Sequence, residues 1–258
     1  MVVNYRTPDD LKSFFRSFTK YPPTCSWSGF VVNNDPEQED LEVGDQSSFH
    51  HCYFSKNVGY AKAVNHAVSL GSSDVVGIFN ADIEFTERSI DQCVQALQSN
   101  DEWGCLGPRQ VDSRGKMTAG GIFGSNSRPQ HRGWKARDSN TFEDIRDDSV
   151  TVAGSALFIK RAVWQELWEC STYRRACQEF GLGCSGVLLE TPLFYEDTFA
   201  CFHLRNHGYL AVYFGPSIMV HKYHKSVRKN GLSVAQEKMK ESRTIFRNVC
   251  GSMGIQSH

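Results

Sequence analysis

Apolar and polar residues follow two different periods along the first hundred residues of the chain. The β-branched runs GFVVNND (29–35) and DVVGIFNAD (74–82) predict buried strands. Apolar residues recur at helical spacing in LKSFFRSF (11–18), YAKAVNHAVSL (60–70) and SIDQCVQALQ (89–98). Strands that alternate with helices of this length predict an α/β domain, in which helices cover both faces of a mostly parallel sheet.

The second half of the chain has a less regular pattern. GPRQVDSRGKM (107–117) predicts a strand with a Gly turn, and TVAGSALFIKRAVWQELW (151–168) predicts a strand that runs into a helix. FYEDTFACFHLRNHGY (194–209) predicts a further helix, which the strand-like LAVYFGPSIMVHKYH (210–224) follows.

Three segments do not fit this alternation. Residues 120–140 are rich in Gly, Ser, Asn and Arg, and predict a long mobile loop. Residues 169–191 carry three cysteines and receive no assignment. The tail 225–258 predicts a basic helix, interpreted as a solvated face, with contact to a membrane surface or polyanion as the alternative.

Composition and charge indicate the general class of protein but no particular reaction. The 258 residues, 40% hydrophobic and 22% charged, suit one globular domain, and a net charge of -1 gives no global attraction for nucleic acid or anionic membranes. No apolar run reaches the roughly 18–20 residues of a membrane-spanning helix, and VVNYRTP shows no signal pattern. Nine scattered cysteines without a C-x-x-C pair predict reduced thiols, hence a cytoplasmic protein.

Polar residues cluster where the two clearest strands end. Ligands bind at the carboxyl ends of parallel strands, and both Asn34-Asp35 and Asn80-Ala81-Asp82 fall there. Asp82 has two interpretations: a ligand for a divalent cation that bridges substrate phosphates, or a capping residue in a strand-to-helix loop.

The pair Glu196-Asp197 also allows two interpretations. Acidic residues stabilise the first turn of a helix through its dipole, which explains the pair locally. The neighbouring side chains are largely apolar, however, and desolvation raises a carboxyl pKa towards that of a general base. His221 and His224 end the last strand-like run, as metal ligands or as ordinary surface histidines.

Several other classes lack their motifs. The chain has no G-x-x-x-x-G-K-[ST] phosphate loop, no G-x-G-x-x-G after the first strand, no G-x-S-x-G elbow and no H-E-x-x-H. P-loop NTP hydrolysis, dinucleotide redox chemistry and serine esterase activity are therefore disfavoured.

In their order, these segments resemble the family 2 inverting glycosyltransferases with the GT-A fold, most of all a rhamnosyltransferase-like branch. The resemblance covers the chain to about His224 and rests on eight motifs: VVNYRT (2–7), VVNND (31–35), NVGYAKAVN (57–65), FNADIEF (79–85), GPRQVDSRGKM (107–117), VAGSALFIKRAV (152–163), FYEDTFACFHLRNHGY (194–209) and VHKYH (220–224). It implies a Rossmann-like sheet in one GT-A domain over 1–225, with a nucleotide-binding half (1–84), an acceptor-side half (85–225) and a helical extension (226–258).

The resemblance implies a role for each candidate residue. Asp82 and His221, with His224 as second choice, would hold Mn²⁺ or Mg²⁺ against the diphosphate of a nucleotide sugar, UDP- or dTDP-linked. Asp197 would be the general base for inversion in a single displacement, with Glu196 orienting the acceptor or Asp197. The donor would be contacted by ten further residues: Asn4, Asn33, Asn34, Asp35, Asn57, Asn65, Asn80, Ala81, Gly154 and Ser155.

The chain departs from the family pattern within the acidic motif. Phe199 stands where E-D-x-D has its second Asp, and His203 stands near the usual Arg. This departure motivates an alternative, a catalytically inactive module that binds a sugar nucleotide or a glycan. A third possibility, a sugar-phosphate nucleotidyltransferase, is disfavoured because the chain lacks the Gly-rich, basic signature of that class near its N-terminus. The expected acceptor of an active enzyme is a glycan, a lipid-linked glycan or a protein. The expected location is the cytoplasm, with peripheral contact to a membrane through the basic tail as the alternative.

Overall fold

The computed structural model describes residues 1–37, 48–125, 128–222 and 232–256. The described residues contain these α-helices: α1 (Pro8–Lys20), α2 (Tyr60–Leu70), α3 (Ser89–Gln98), α4 (Arg161–Glu169), α5 (Ser171–Glu179), α6 (Glu196–Asn206) and α7 (Leu232–Ser252). They contain these strands: β1 (Val2–Asn4), β2 (Gly29–Asn33), β3 (Phe49–Tyr53), β4 (Val75–Asn80), β5 (Ile83–Glu84), β6 (Trp103–Val111), β7 (Met117–Ala119), β8 (Ile122–Ser125), β9 (Arg128–His131), β10 (Ile145–Arg146), β11 (Ala156–Lys160) and β12 (Leu210–His221).

A central sheet in the order β10-β12-β6-β11-β4-β1-β2-β3 organises the fold. The four strands from β4 to β3 are parallel, as are β6 and β12, whereas β11 runs antiparallel to both β4 and β6. The α/β class and the single domain predicted from the sequence are confirmed. The polar residues that follow β1, β2 and β4 consequently meet at one edge of the sheet.

Apolar clusters cover both faces of this sheet. Helices α2, α4 and α6 pack on one face through Val64, Leu167 and Leu204, and helices α1 and α3 pack on the other through Phe14 and Leu97. Helix α1 begins as its sequence predicts, with Pro8 in the first turn and two acidic residues beside it.

A third apolar cluster joins α5, α6 and α7. Tyr173, Phe199 and Phe246 are fully buried in it. Buried residues of α7 recur at helical spacing, at positions 235, 242, 246, 249 and 250. The interpretation of the tail as a solvated face therefore holds for one face of the helix, where the basic residues are exposed. The opposite face of the helix is part of the core.

The segment 120–140 is not the irregular loop that its composition predicts. Strands β8 and β9 form an antiparallel hairpin within it, and Ile122 bonds to the backbone of Thr151. Arg132 then forms an ion pair with Asp144, which fixes the return of the chain. Gly and Ser suggested a loop, but backbone pairing and the Arg132–Asp144 ion pair outweigh that local preference.

Candidate active site at the carboxyl edge of the sheet

Asp82 and His221 lie side by side where two strands end. Asp82 follows β4, and His221 closes β12, where it pairs with Ile83 in β5. The imidazole Nε2 of His221 lies 3.4 Å from Oδ1 of Asp82, and the backbone N–H of Lys222 donates to the Asp82 carbonyl. Two ligands of an octahedral cation at about 2.1 Å lie roughly 3 Å apart. The oxygen and nitrogen atoms are therefore spaced to fit one divalent cation.

The carboxylate of Asp197 is held by backbone donors at the start of α6. Gly154 N–H donates to Oδ2 at 2.7 Å, and Thr198 N–H donates to Oδ1 at 2.6 Å. Hydrogen bonds of this kind stabilise the ionised form of a carboxylate. A side chain at position 154 would collide with Asp197, since a Cβ there would lie 2.7 Å from the Asp197 Cβ.

The two acids of the pair differ in proton affinity. Burial raises the pKa of Glu196 to about 8, with a further contribution from the charge of Asp197. Burial also raises the pKa of Asp197, but the N–H donors of Gly154 and Thr198 oppose that rise. At neutral pH, Glu196 therefore keeps its proton, whereas the N–H donors of Gly154 and Thr198 favour the charged form of Asp197.

A short backbone link connects the Asp82–His221 pair with Asp197. Asn80 N–H donates to the carbonyl of Ser155 at 2.9 Å, and Ser155 follows the glycine that binds Asp197. The Tyr60 hydroxyl is buried and has no hydrogen-bond partner among the described residues. Its pKa is raised well above the ordinary value by burial and, to a lesser extent, by the charges of Glu196, Asp197 and Asp82.

The turn before the acid pair has an unusual backbone. Phe194 and Tyr195 both have positive φ, 65° and 71°, which side-chain-bearing residues rarely adopt. Helix α7 holds this turn: Arg243 Nε donates to the Tyr195 hydroxyl at 2.8 Å, and the ring of Phe246 lies 5.3 Å from that of Tyr195. Strained turns of this kind persist where the surrounding structure fixes them, often at functional sites.

Asparagine side chains, all buried except that of Asn57, brace the loops that follow β1, β2 and β3. Asn4 Nδ2 donates to Asn33 Oδ1, Asn34 Nδ2 donates to Asn57 Oδ1, and Val58 N–H donates to Asn34 Oδ1. We call these four asparagines the amide network. Asp35 is buried beside it, 4.0 Å from Arg6 Nε. The network fixes the loops at the edge where a nucleoside would bind in this type of sheet.

A cavity of about 250 Å³ opens beside Asp197. Its walls come from the acidic turn, the β8–β9 hairpin and helix α7: Ile122, Phe123, Pro129, His131, Val150, Thr151, Phe194, Tyr195, Asp197, Thr198, Phe202 and Met239. A larger cavity of about 380 Å³ lies at the opposite end of the sheet, where β2 and β4 begin, and neither Glu196 nor Asp197 lines it. Of these two cavities, only the smaller has a carboxylate of the acid pair in its wall.

Some candidate residues have structural contacts of their own. Both polar atoms of the Asn65 side chain hydrogen-bond to the backbone of Leu188, so this amide braces the segment after α5. These bonds occupy the groups with which Asn65 would contact a nucleoside. Ala81 is buried in the apolar cluster beneath α1, and Ser155 Oγ donates to Gln110 Oε1. His224, the second choice for a metal ligand, lies outside the described residues.

Two features of the site were not found by motif reasoning. Tyr60 begins α2 within the motif NVGYAKAVN, where its apolar spacing suggested only a core residue. The contribution of α7 to the acidic turn depends on contacts between residues about 50 positions apart, and the basic composition of the tail concealed the apolar stripe.

The mixed central sheet with helices on both faces is the architecture of the GT-A fold. Residues 1–166 match the model of glycosyl transferase family 2, and the chain belongs to that family. No curated protein matches the chain.

Solved structures share this fold at low sequence identity. GalNAc-T7 with UDP, GalNAc and Mn²⁺ superimposes with a TM-score of 0.62 at 13% identity, over 85% of this chain and 42% of that one. The mannosyltransferase PcManGT from Pyrobaculum calidifontis, in complex with GDP-Man and Mn²⁺, superimposes with a TM-score of 0.54 at 12% identity. The match covers 97% of this chain and 72% of that one. S. aureus TarS 1-349 in complex with UDP-GlcNAc superimposes with a TM-score of 0.57 at 13% identity, over 96% of this chain and 65% of that one. The chain thus spans less than half of the GalNAc-T7 chain.

Among the described residues, no helix is both long enough and apolar enough to cross a membrane.

Proposed function

We propose that the chain is a metal-dependent inverting glycosyltransferase that moves a sugar from a nucleoside diphosphate to an acceptor hydroxyl. The observation that carries this proposal is the convergence of Asp82, His221 and Asp197 on one edge of the sheet, linked through Asn80 and Ser155. The metals and nucleotide sugars in the similar structures support a donor of the same class. UDP- or dTDP-linked sugars and the rhamnosyltransferase-like branch stay predictions.

The residues of the chain divide the chemistry between them. Asp82 and His221 would hold the cation, which supplies positive charge to the departing diphosphate when it is bound. Asn34, Asn57 and Asp35 would position the nucleoside at the braced loops.

Asp197 would take the proton from the acceptor hydroxyl as that oxygen attacks the anomeric carbon. Because one displacement occurs on the face opposite the nucleotide, the configuration inverts. Glu196, protonated at neutral pH, can donate a hydrogen bond without adding a second negative charge beside the base.

The cavity beside Asp197 fits the acceptor. Phe194, Tyr195 and Phe123 offer ring faces on which the apolar face of a sugar can pack, while Asp197 lies at the wall. We therefore infer a glycan acceptor, free or attached to a lipid or a protein. Lys238, Lys240 and Arg247 are exposed on α7, and their contact with a membrane surface, like the cytoplasmic location, stays a prediction.

The departure from the family motif does not favour an inactive module. Phe199, which replaces the second Asp, is fully buried and lies 5.2 Å from the ring of Tyr173. Position 199 therefore faces the core, away from the cavity that Asp197 lines, and its change leaves the acid pair in place.

Nucleotide release from a panel of nucleotide sugars tests the proposal. We expect release from at least one donor with Mn²⁺, none with EDTA, and a product of inverted anomeric configuration by NMR. Asp101→Asn, which changes an exposed acid, is the matched control. Binding of a donor with no release under any condition would support the inactive module instead.

A further inference from the structure

A second cluster of potential metal ligands lies apart from the proposed active site. Cys170 joins α4 to α5, His203 lies in the last two turns of α6, and His207 caps the end of that helix. One ligand atom from each residue lies within 4.8 Å of the other two. None of the three has a role in the proposed transfer reaction.

The spacing and the residue types fit a soft, tetrahedral cation. His203 and His207 are four residues apart, so they project from the same face of the helix. Tetrahedral Zn²⁺, with bonds of about 2.0–2.3 Å, needs nitrogen and sulfur ligands roughly 3.3–3.6 Å apart. The ligand atoms would have to approach one another by at most about 1.2–1.5 Å to close around such an ion. Mn²⁺ and Mg²⁺ favour oxygen ligands, so this cluster differs in chemistry from the Asp82–His221 pair.

An independent observation also points to a ligand at this place. His203 is completely buried, and neither of its ring nitrogens has a hydrogen-bond partner among the described residues. Its closest ring neighbours are Tyr173, Phe199 and His207. Buried polar groups in native proteins are nearly always satisfied, so an orphaned imidazole requires an explanation.

Glu166 supplies the outer support that metal-bound histidines usually have. Its Oε1 lies 3.0 Å from Nδ1 of His207, and its Oε2 accepts a hydrogen bond from the Tyr209 hydroxyl at 2.7 Å. A carboxylate on one ring nitrogen fixes the tautomer and leaves the other nitrogen as the ligand. Nε2 of His207 is therefore the atom available to a metal.

We propose that Cys170, His203 and His207 bind one Zn²⁺ ion, with Glu166 orienting His207 and water completing the tetrahedron. The ion would fasten the end of α6 to the α4–α5 junction, and α6 carries Asp197 at its other end. This inference does not depend on the proposed function, because its ligands and its test are separate from the transfer reaction.

Titration of the metal-stripped full chain with Co²⁺ and then Zn²⁺ tests the proposal. Excess Mg²⁺ is present throughout to occupy the site at the Asp82–His221 pair. We expect one equivalent of Co²⁺ with a thiolate charge-transfer band, and its displacement by Zn²⁺. Cys170→Ser should abolish the band and lower Zn²⁺ affinity more than about 100-fold, whereas Cys25→Ser, at an exposed cysteine, should change neither.

Two further variants separate ligand loss from misfolding. His207→Gln and Glu166→Gln change partly exposed side chains, so both should fold, as circular dichroism would show. We expect Glu166→Gln to weaken Zn²⁺ binding about 10- to 100-fold, and His207→Gln to weaken it further. Asp82→Ala should bind Zn²⁺ as the wild type does. Stoichiometric Zn²⁺ binding that survives Cys170→Ser and His207→Gln, or no binding by the wild type, would overturn the proposal.

Discussion

The two sides of the candidate site are held in place by different means. On the nucleoside side, the amide network links residues within the first 57 positions through neutral side chains. On the acid side, a turn with two left-handed residues is held by α7, which lies about 50 positions away. We infer that the first side sets donor affinity and the second sets the rate of transfer. Substitutions on the two sides should therefore change different kinetic constants.

The largest expected effect is that of Asp197→Asn. A general base contributes about 10²–10⁴-fold to a rate, so kcat should fall by that factor. Donor affinity should stay within about twofold, because the network and the Asp82–His221 pair are untouched. Steady-state kinetics with calorimetric donor binding check both values. A variant that keeps most of its turnover would remove Asp197 from the role of base.

Phe246→Ala should have the next largest effect. Truncation of a buried Phe destabilises a domain by about 3–5 kcal/mol, and here it also frees Tyr195 before the acid pair. We expect lower stability to urea and a lower kcat, with donor affinity retained. Val234→Ala, at a 45% exposed position of the same helix, is the control. Equal losses of kcat and donor affinity would contradict the division between the two sides.

Asn34→Ala tests the other side. Its removal leaves the Val58 N–H without its acceptor and Asn57 Oδ1 with Gly59 N–H as its remaining donor, which should lower the stability of these loops by about 1–3 kcal/mol. Donor affinity should fall roughly tenfold while kcat is maintained. Asn100→Ala, which removes a local contact to Ala96 far from the edge, should leave both unchanged. A drop in kcat without a change in donor binding would show that the loops do not serve the donor.

The last prediction concerns the pH dependence of stability. Glu196 keeps its proton in the folded state up to about pH 8, whereas its ordinary pKa is 4.5. The folded state therefore binds more protons than the unfolded chain between these values, and stability falls as pH rises through that window, by at most about 1.4 kcal/mol per unit from this group. Glu196→Gln should flatten the dependence, and Glu87→Gln, at an exposed position, should not. Urea denaturation from pH 5 to pH 9 measures it; an unchanged slope in Glu196→Gln would refute the assignment.

The sequence predicted those parts of the fold in which local signals and tertiary contacts agree. Strand β4 and helix α2 followed their hydrophobic periods, and Asp82 could be located because a strand end and a family motif coincide. The β8–β9 hairpin could not be predicted, because its Gly and Ser residues favour a loop until Ile122 pairs with Thr151. The cluster of Cys170 with His203 and His207 was equally hidden, since folding alone brings 170 beside 203.

Metal-dependent donor binding tests the central claim most directly. Calorimetric titration of a nucleotide sugar into the wild type and into Asp82→Ala, each with Mn²⁺ and with EDTA, gives four affinities. We expect tight binding only for the wild type with Mn²⁺, and weak, metal-independent binding in the other three cases. Equal affinity of the wild type with and without Mn²⁺ would contradict a cation held by Asp82 and His221.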